Sequence, residues 1–414
     1  MFMKKIIDNR NFLTLSIFDF LYLFTWSAAM SFFVIWLDQA LNIDSTQTGF
    51  LYMGMSISAM ALQPIFGYIS DKFHLRKTFV YIILFGLIPI GPFFIYIYAP
   101  LLVSHFWLGM IIGALYLSFV FNAGYGVVDS YLDKISRKSG FEYGRVRMWG
   151  SLGWASAVFI VGRAITQNPN FAFWIASIAA ILAIFFFWLT KVNTQENVES
   201  TSSAISLVDV GGLMKNAQFW YLLMFGVGVS CVYEVYDQQF GNYFVSFFKT
   251  KEEGNQWFGD LASVQVAGET IFLCLMPWFV NKFGAKNCLM LAGFIMAFRI
   301  IGSSFPLGSV WIASMKLMHA FEKPLIVVTI FKYISFSFDS RLASTTYLSY
   351  LFSMSLATAV LSPIVGHMYD LLGFKQTYII LGSIALLFTI IALLTLKSDR
   401  NKNIKHTFPT ETLQ

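Results

Sequence analysis

Apolar runs of about 18–25 residues recur along the chain, each closed by a short polar break. Six fall near 12–36, 46–70, 78–99, 106–132, 146–165 and 171–190. Six more fall near 218–240, 258–280, 288–306, 310–334, 344–366 and 376–396. A hydrocarbon layer about 30 Å thick takes about 20 residues of helix at 1.5 Å rise per residue. The pattern predicts an all-α membrane protein with twelve transmembrane helices, and an even number places both termini on one side. The polar stretch 191–216, with its Thr-Gln-Glu-Asn-Val-Glu-Ser-Thr-Ser-Ser segment, has the composition of a flexible linker. The expected organisation is a six-helix half over 1–190, a cytoplasmic linker over 191–216, a second six-helix half over 217–396 and a cytoplasmic tail over 397–414.

The two sets of six echo each other. Asp71-Lys72-Phe73-His74-Leu75-Arg76-Lys77 follows the second run, and Asn281-Lys282-Phe283-Gly284-Ala285-Lys286 follows the eighth. Matching turns at matching places predict pseudo-symmetric halves, with a binding site between them near the bilayer midplane.

Composition agrees. The 414 residues are 57% hydrophobic and 18% aromatic, and only 12% are charged, against about 25% in a soluble domain. No soluble core hides 45 Phe, so the solvent must be lipid. The net charge of +6 is a topology signal and not a nucleic-acid one. About 20 of the 28 Lys and Arg fall on one expected side; Arg163, Lys249, Lys251 and Lys375 fall on the other. The basic side is the cytoplasm, so both termini are expected there. Residues 1–10 lack a small-residue cleavage site, which predicts a retained first helix. Cys231, Cys274 and Cys288 lie in apolar runs, so neither a disulfide nor a metal site is expected. No Gly-rich loop runs into Lys-Ser/Thr, and His319 has no Ser or Cys nucleophile on its helix face. Nucleotide use and covalent catalysis are therefore not expected.

The informative residues are the charges inside the apolar runs, where each costs about 2.5–3.5 kcal/mol near the centre on insertion scales. Lys316, His319, Glu322 and Lys323 fall within an arc of about 120° on one helix. Tyr233, Glu234 and Asp237 lie in the seventh run, Gln265 and Glu269 in the eighth, and Arg299 in the ninth. A single ion pair can be glue between helices, but this many ionisable groups at similar depth point to function. Proton coupling asks for a carboxyl that its surroundings keep protonated, a cation able to drive the proton off, and a link to substrate. Glu322 beside Phe321 fits the first, Arg299 the second, and His319, one turn from Glu322, the third. In the first half Asp129 and Arg147 are placed at similar depth on neighbouring helices. Trp154 follows Arg147 on nearly the same helix face, about 10 Å further along. A carboxylate and a guanidinium can hydrogen-bond sugar hydroxyls, and an indole can stack on a pyranose face.

Gly67-Tyr68-Ile69-Ser70-Asp71-Lys72-Phe73-His74-Leu75-Arg76-Lys77 resembles the loop signature of the major facilitator superfamily, with His74 where glycine is usual. Four further stretches resemble the lactose and sucrose permeases, the oligosaccharide:proton symporters: Phe141-Glu142-Tyr143-Gly144-Arg145-Val146-Arg147, residues 233–240 with Asp237-Gln238-Gln239, Arg299-Ile300-Ile301-Gly302-Ser303-Ser304-Phe305, and the opening stretch. The resemblance implies the major facilitator fold in a bacterial cytoplasmic membrane. It also implies a monomer and alternating-access symport of a sugar and a proton without a cofactor. It makes Glu322 the proton carrier, Arg299 its releasing cation, and His319 and Tyr233 the link to sugar, with Asp237 and Lys316 a structural pair. A sugar-sensing receptor of the same fold and a proton-coupled transporter for another solute are the alternatives.

Two departures bear on substrate and charge. Lactose permeases carry a sugar-binding glutamate at the position of Val266; here Gln265 and Glu269 resemble the sucrose type, as does Asp129. Trp154 and Tyr233 match the lactose type, so the sugar stays open with a lean toward sucrose. Glu234 matches an acid that pairs with a lysine on helix eleven, and the stretch 345–366 contains no Lys or Arg. A lone carboxyl there is either protonated or paired elsewhere; Lys323, where the family has an apolar residue, is the expected replacement partner, and altering proton affinity near Glu322 is its alternative role.

Overall fold

A backbone in lipid must satisfy its own N–H and C=O groups, and the apolar runs accordingly become helices. The computed structural model describes residues 10–73, 77–191, 212–339 and 342–398, and among these there is no strand. Among the described residues, eight helices are long and apolar enough to cross a membrane, or nine if the bent pair Thr78–Leu87 and Ile90–Ser104 is one span. The termini, most of the expected linker and residues 74–76 of the first loop signature lie outside the described residues.

Helix ends follow local chemistry. Lys251–Phe283 begins after Thr250, whose hydroxyl accepts from the Glu253 N–H at 3.2 Å, and it ends at Gly284 with φ 85°. Ala343–Thr395 runs for 53 residues, about 80 Å of helix, far more than one crossing requires. Its non-helical residue is Gly373, φ 74°, a conformation that favours glycine. The chain turns back there: Tyr350 before it and Phe388 after it both crowd the 226–228 turn, against Gly226 and Gly228 respectively.

These reversals define two ends of the bundle. Thr46–Asp370, Trp36–Asn170 and Arg163–Asp260 lie at the Gly373 end. Lys191 with Asn11, and Gln218 with Thr395, lie at the opposite end, so the described chain starts and finishes together. Helices before residue 191 pack mainly on one another, as do those after 212. The main seams join Ser45–Phe73 to Ala343–Thr395 and Tyr143–Ala164 to Lys251–Phe283.

The seams close tightly toward the Gly373 end. Arg163 Nη1 lies 2.7 Å from Asp260 Oδ1, and Gln39 and Asn255 exchange hydrogen bonds at 3.2 and 3.0 Å. The Asp370 carboxylate accepts from the backbone N–H groups of Ser45 and Thr46 and from the Thr46 hydroxyl. Gly162 and Gly259 bring backbones together: a Cβ on either would sit 3.0 Å from the other's Cα.

Close approach also builds the first block. A Cβ at Gly153 would meet the Phe20 carbonyl oxygen at 2.1 Å, whereas one at Gly126 meets nothing within 4 Å. Gly153→Leu is expected to cost about 1–3 kcal/mol by overpacking, and Gly126→Ala to be neutral or stabilising by up to about 1 kcal/mol. Thermal unfolding of the two purified variants checks the contrast; equal midpoints would refute it.

Candidate functional site

The ionisable stripe sits at a break in its helix. Ser309–Leu317 gives way at Met318 to His319–Ser337, and Pro324 takes the place of a backbone donor in the second turn after the break. The break aims Lys316, His319 and Glu322 at the neighbouring helices. All three are buried, with Glu322 at 0% exposure.

Arg299, also at 0%, projects from Ala285–Ser303 and places Nε 3.0 Å from Glu322 Oε2. His319 bridges onward: Nδ1 lies 3.9 Å from Glu322 Oε1 and Nε2 3.6 Å from Glu269 Oε1. Gln265 Nε2 donates to that same Glu269 oxygen at 2.8 Å, one turn back on its own helix. The Tyr233 ring stacks on His319 with centroids 4.2 Å apart and lies under the Arg299 guanidinium at 4.9 Å. Arg299, His319, Glu322, Glu269, Gln265 and Tyr233 therefore form one connected group. It is short of hydrogen bonds: both Nη atoms of Arg299, both His319 nitrogens and Glu322 Oε1 lack a partner. Such a network is stabilising only when completed, which leaves open positions for a proton or a bound group.

Asp237 and Lys316 form an ion pair, with the Lys316 ammonium 4.8 Å from the centre of the Phe240 ring. The expected Glu234–Lys323 pair is not formed. Lys323 Nζ lies 3.7 Å from Glu269 Oε2 instead, and Glu234 makes no ion pair among the described residues. Helix rotation explains the difference: Lys323 follows Glu322 by one residue and so emerges toward the cavity, where Glu269 is nearer.

That cavity, about 260 Å³, lies between the first and second blocks. Tyr52 and Trp154 line it from one side, and Glu234, Gln265, Glu269 and Lys323 from the other. Its volume falls near the lower bound of ligand sites, about 300 Å³. The buried network thus meets open space at Glu269.

In the first block Arg147 Nε lies 4.0 Å from Asp129 Oδ1 and donates to the Tyr125 hydroxyl at 3.1 Å. Arg147 Nη1 lies 3.4 Å from Ser151 Oγ, and Tyr143 donates to Asp129. Asp129 and Arg147 are together, but neither is among the cavity-lining residues; Trp154 is, set edge-on to Trp26 with centroids 5.6 Å apart. The sequence reading did not single out Tyr52, Tyr125, Tyr143 or Asp19. Asp19 had a signal, a lone carboxyl inside the first apolar run, and Tyr143 lay within the 141–147 motif; Tyr52 and Tyr125 had none, since aromatic residues are common throughout this chain.

Because Lys316 is buried, its charge depends on Asp237. Asp237→Asn alone is expected to lower stability by about 3 kcal/mol and to reduce the yield of folded protein. Adding Lys316→Gln is expected to restore most of that yield, as read by size-exclusion profile and unfolding midpoint. Equal losses in the single and double variants would show that the pair is not what stabilises these positions.

Comparison with known proteins completes the description. The model of a family described as the LacY proton/sugar symporter matches residues 4–408. A melibiose permease of Enterobacter cloacae subsp. cloacae is 39% identical over 94% of each chain, and a raffinose permease of Escherichia coli is 38% identical over the same shares. A sucrose permease of Escherichia coli is 32% identical over 95% of each. A crystal structure of the nucleoside transporter NupG superposes with a TM-score of 0.77 at 15% identity, covering 93% of this chain and 98% of that one, which is a likeness of fold. The chain is a membrane transporter and not an enzyme, and it belongs to the LacY proton/sugar symporter family.

Proposed function

We propose that this protein imports a disaccharide or small oligosaccharide across a bacterial inner membrane together with a proton, by alternating access. The observation that carries the reading is the line of neighbouring side chains from Glu322, at 0% exposure, to His319 at 3.9 Å and on to Glu269 at 3.6 Å on the cavity wall. A carboxyl in so dry a setting binds and releases a proton according to where Arg299 stands, and His319 is the group able to report that state to a sugar held by Glu269. A protonated Glu322 permits sugar to bind between the blocks. The blocks then rock, sugar leaves, and Arg299 drives off the proton. No cofactor is needed beyond the proton.

The same proposal includes twelve spans in two six-helix halves, over 1–190 and 217–396. Beyond the nine, Tyr143–Ala164 counts as a span despite Arg145, Arg147 and Arg163. The broken 309–337 helix counts as another, and Ala343–Thr395 counts twice, turning at Gly373. The basic end, with Lys77, Lys282 and both termini, faces the cytoplasm. Because the contacts between the blocks cluster at the opposite end, the described conformation is read as closed to the outside. The likeness to melibiose and raffinose permeases favours a sugar with a galactosyl end over the sucrose-like lean of the sequence motifs.

Counterflow in proteoliposomes with melibiose, raffinose, lactose and sucrose tests the substrate; alkalinisation of the medium on adding the active sugar tests coupling. Sugar binding without either would leave a receptor. Glu322→Gln imitates the protonated acid, so it is expected to retain counterflow within about threefold while losing uphill accumulation by about 100-fold or more. A variant that still accumulated sugar would remove Glu322 from the coupling role.

A further inference from the structure

Another carboxyl is buried where this scheme makes no use of it. Asp19, in the middle of Arg10–Met30, is 1% exposed, and neither of its oxygens has a hydrogen-bond partner of good geometry; the one donor that acts on it is the Gly150 backbone N–H. It lies directly over Gly150, where a Cβ would come within 2.3 Å of Asp19 Oδ2. The charged groups that act on it are Arg147, on Tyr143–Ala164, and Asp129, on Ala123–Lys138. Phe171–Leu189, which also packs on Arg10–Met30, carries no titratable side chain. On its own helix, Tyr22 donates its hydroxyl hydrogen to the Val120 carbonyl at 3.0 Å.

Charge balance in this cluster is uneven. One guanidinium stands among two carboxyls, with the hydroxyls of Tyr125 and Tyr143 around it. Arg147 is turned to Asp129, Tyr125 and Ser151, and no ion pair within 4.0 Å joins it to Asp19 among the described residues. An ionised Asp19 here is a charge without an ion-pair partner in a dry interior, which is costly. One proton shared by the cluster removes that excess negative charge.

We propose that Asp19 is a second proton-binding site, occupied while Arg147 is turned to Asp129 and emptied when Arg147 turns to Asp19. On release the carboxyl O–H bond breaks and the proton passes to water at Asp129, whose side chain is 32% exposed. The carboxylate left behind takes the guanidinium as its counter-ion; uptake reverses both changes. Arg147 then serves two masters, since turning to Asp19 withdraws it from Asp129. If, within the proposed sugar symport, Asp129 and Arg147 hydrogen-bond the sugar as their carboxylate and guanidinium suit them to do, proton binding at Asp19 and sugar binding strengthen each other by the same factor.

The proton itself is tested without sugar. Infrared difference spectra of purified Glu322→Gln protein, with and without Asp19→Asn, are recorded from about pH 5 to about pH 10, a range that covers buried carboxyls. A carbonyl band of a protonated acid is expected in the first protein and lost in the second, and Asp19→Ser, a second uncharged variant, is expected to lose the same band. Identical bands in all three would overturn the proposal.

Sugar affinity of the same proteins, for the disaccharide that counterflow identifies, is expected to weaken at least about fivefold toward alkaline pH with Asp19 present and to stay flat without it. A band that follows Asp19 with flat affinity in both would overturn the link to sugar. Glu322 fails separately: if it is not the coupling carboxyl, Glu322→Gln accumulates sugar normally, and the Asp19 band is still expected.

Discussion

The contact on which the rest depends is Arg299 with Glu322, 3.0 Å apart at 0% exposure. Two charges taken out of water must be held by each other and by what surrounds them, because losing either partner leaves the other uncompensated. Here the surroundings are aromatic faces and a histidine, with few hydrogen-bond donors or acceptors. The pair is thus held in place without being fully satisfied, which lets a proton change its balance. Helix geometry links the pair outward. His319 is one turn before Glu322, and the break at Met318 turns it toward Glu269 at the cavity.

The packing of the two blocks serves the same end. Small residues let backbones meet at Gly162 and Gly259 and at Gly366 against Ser45, while Arg163–Asp260 and the Asp370 contacts latch that side. These latches are polar, near the helix ends, and made across seams, so they can part without disturbing either block's core. The cavity beside Trp154 and Glu269 lies further in along the same seams. Closure at one end and an ionisable network at mid-depth are the two elements that alternating access requires.

Asp237–Lys316 differs in its contacts from the charges beside it. Lys316 is buried and held by one acid and one aromatic ring, Phe240, whereas Glu269 contacts a histidine, a lysine and a glutamine and opens to the cavity. Asp237 and Lys316 also border that cavity, but their charges are matched one to one, whereas Glu269 is shared among three neighbours.

The sequence by itself determined the membrane environment, the helical class and the residues of the buried network. The length of apolar runs is set by bilayer thickness, and a charge within such a run stands out against its neighbours whatever the fold. Family motifs around Arg147, Asp237 and Arg299 added the transport class. Tertiary structure decided the partners. Lys323 meets Glu269 and not Glu234, because the rotation of one broken helix against another is not written in either helix's periodicity. Asp129 and Arg147 pair with each other off the cavity wall, and Asp19 joins their neighbourhood, because helices distant in sequence approach over Gly150 and Gly153. Spacing along a chain gives a residue's face and depth; only packing gives the atom it faces.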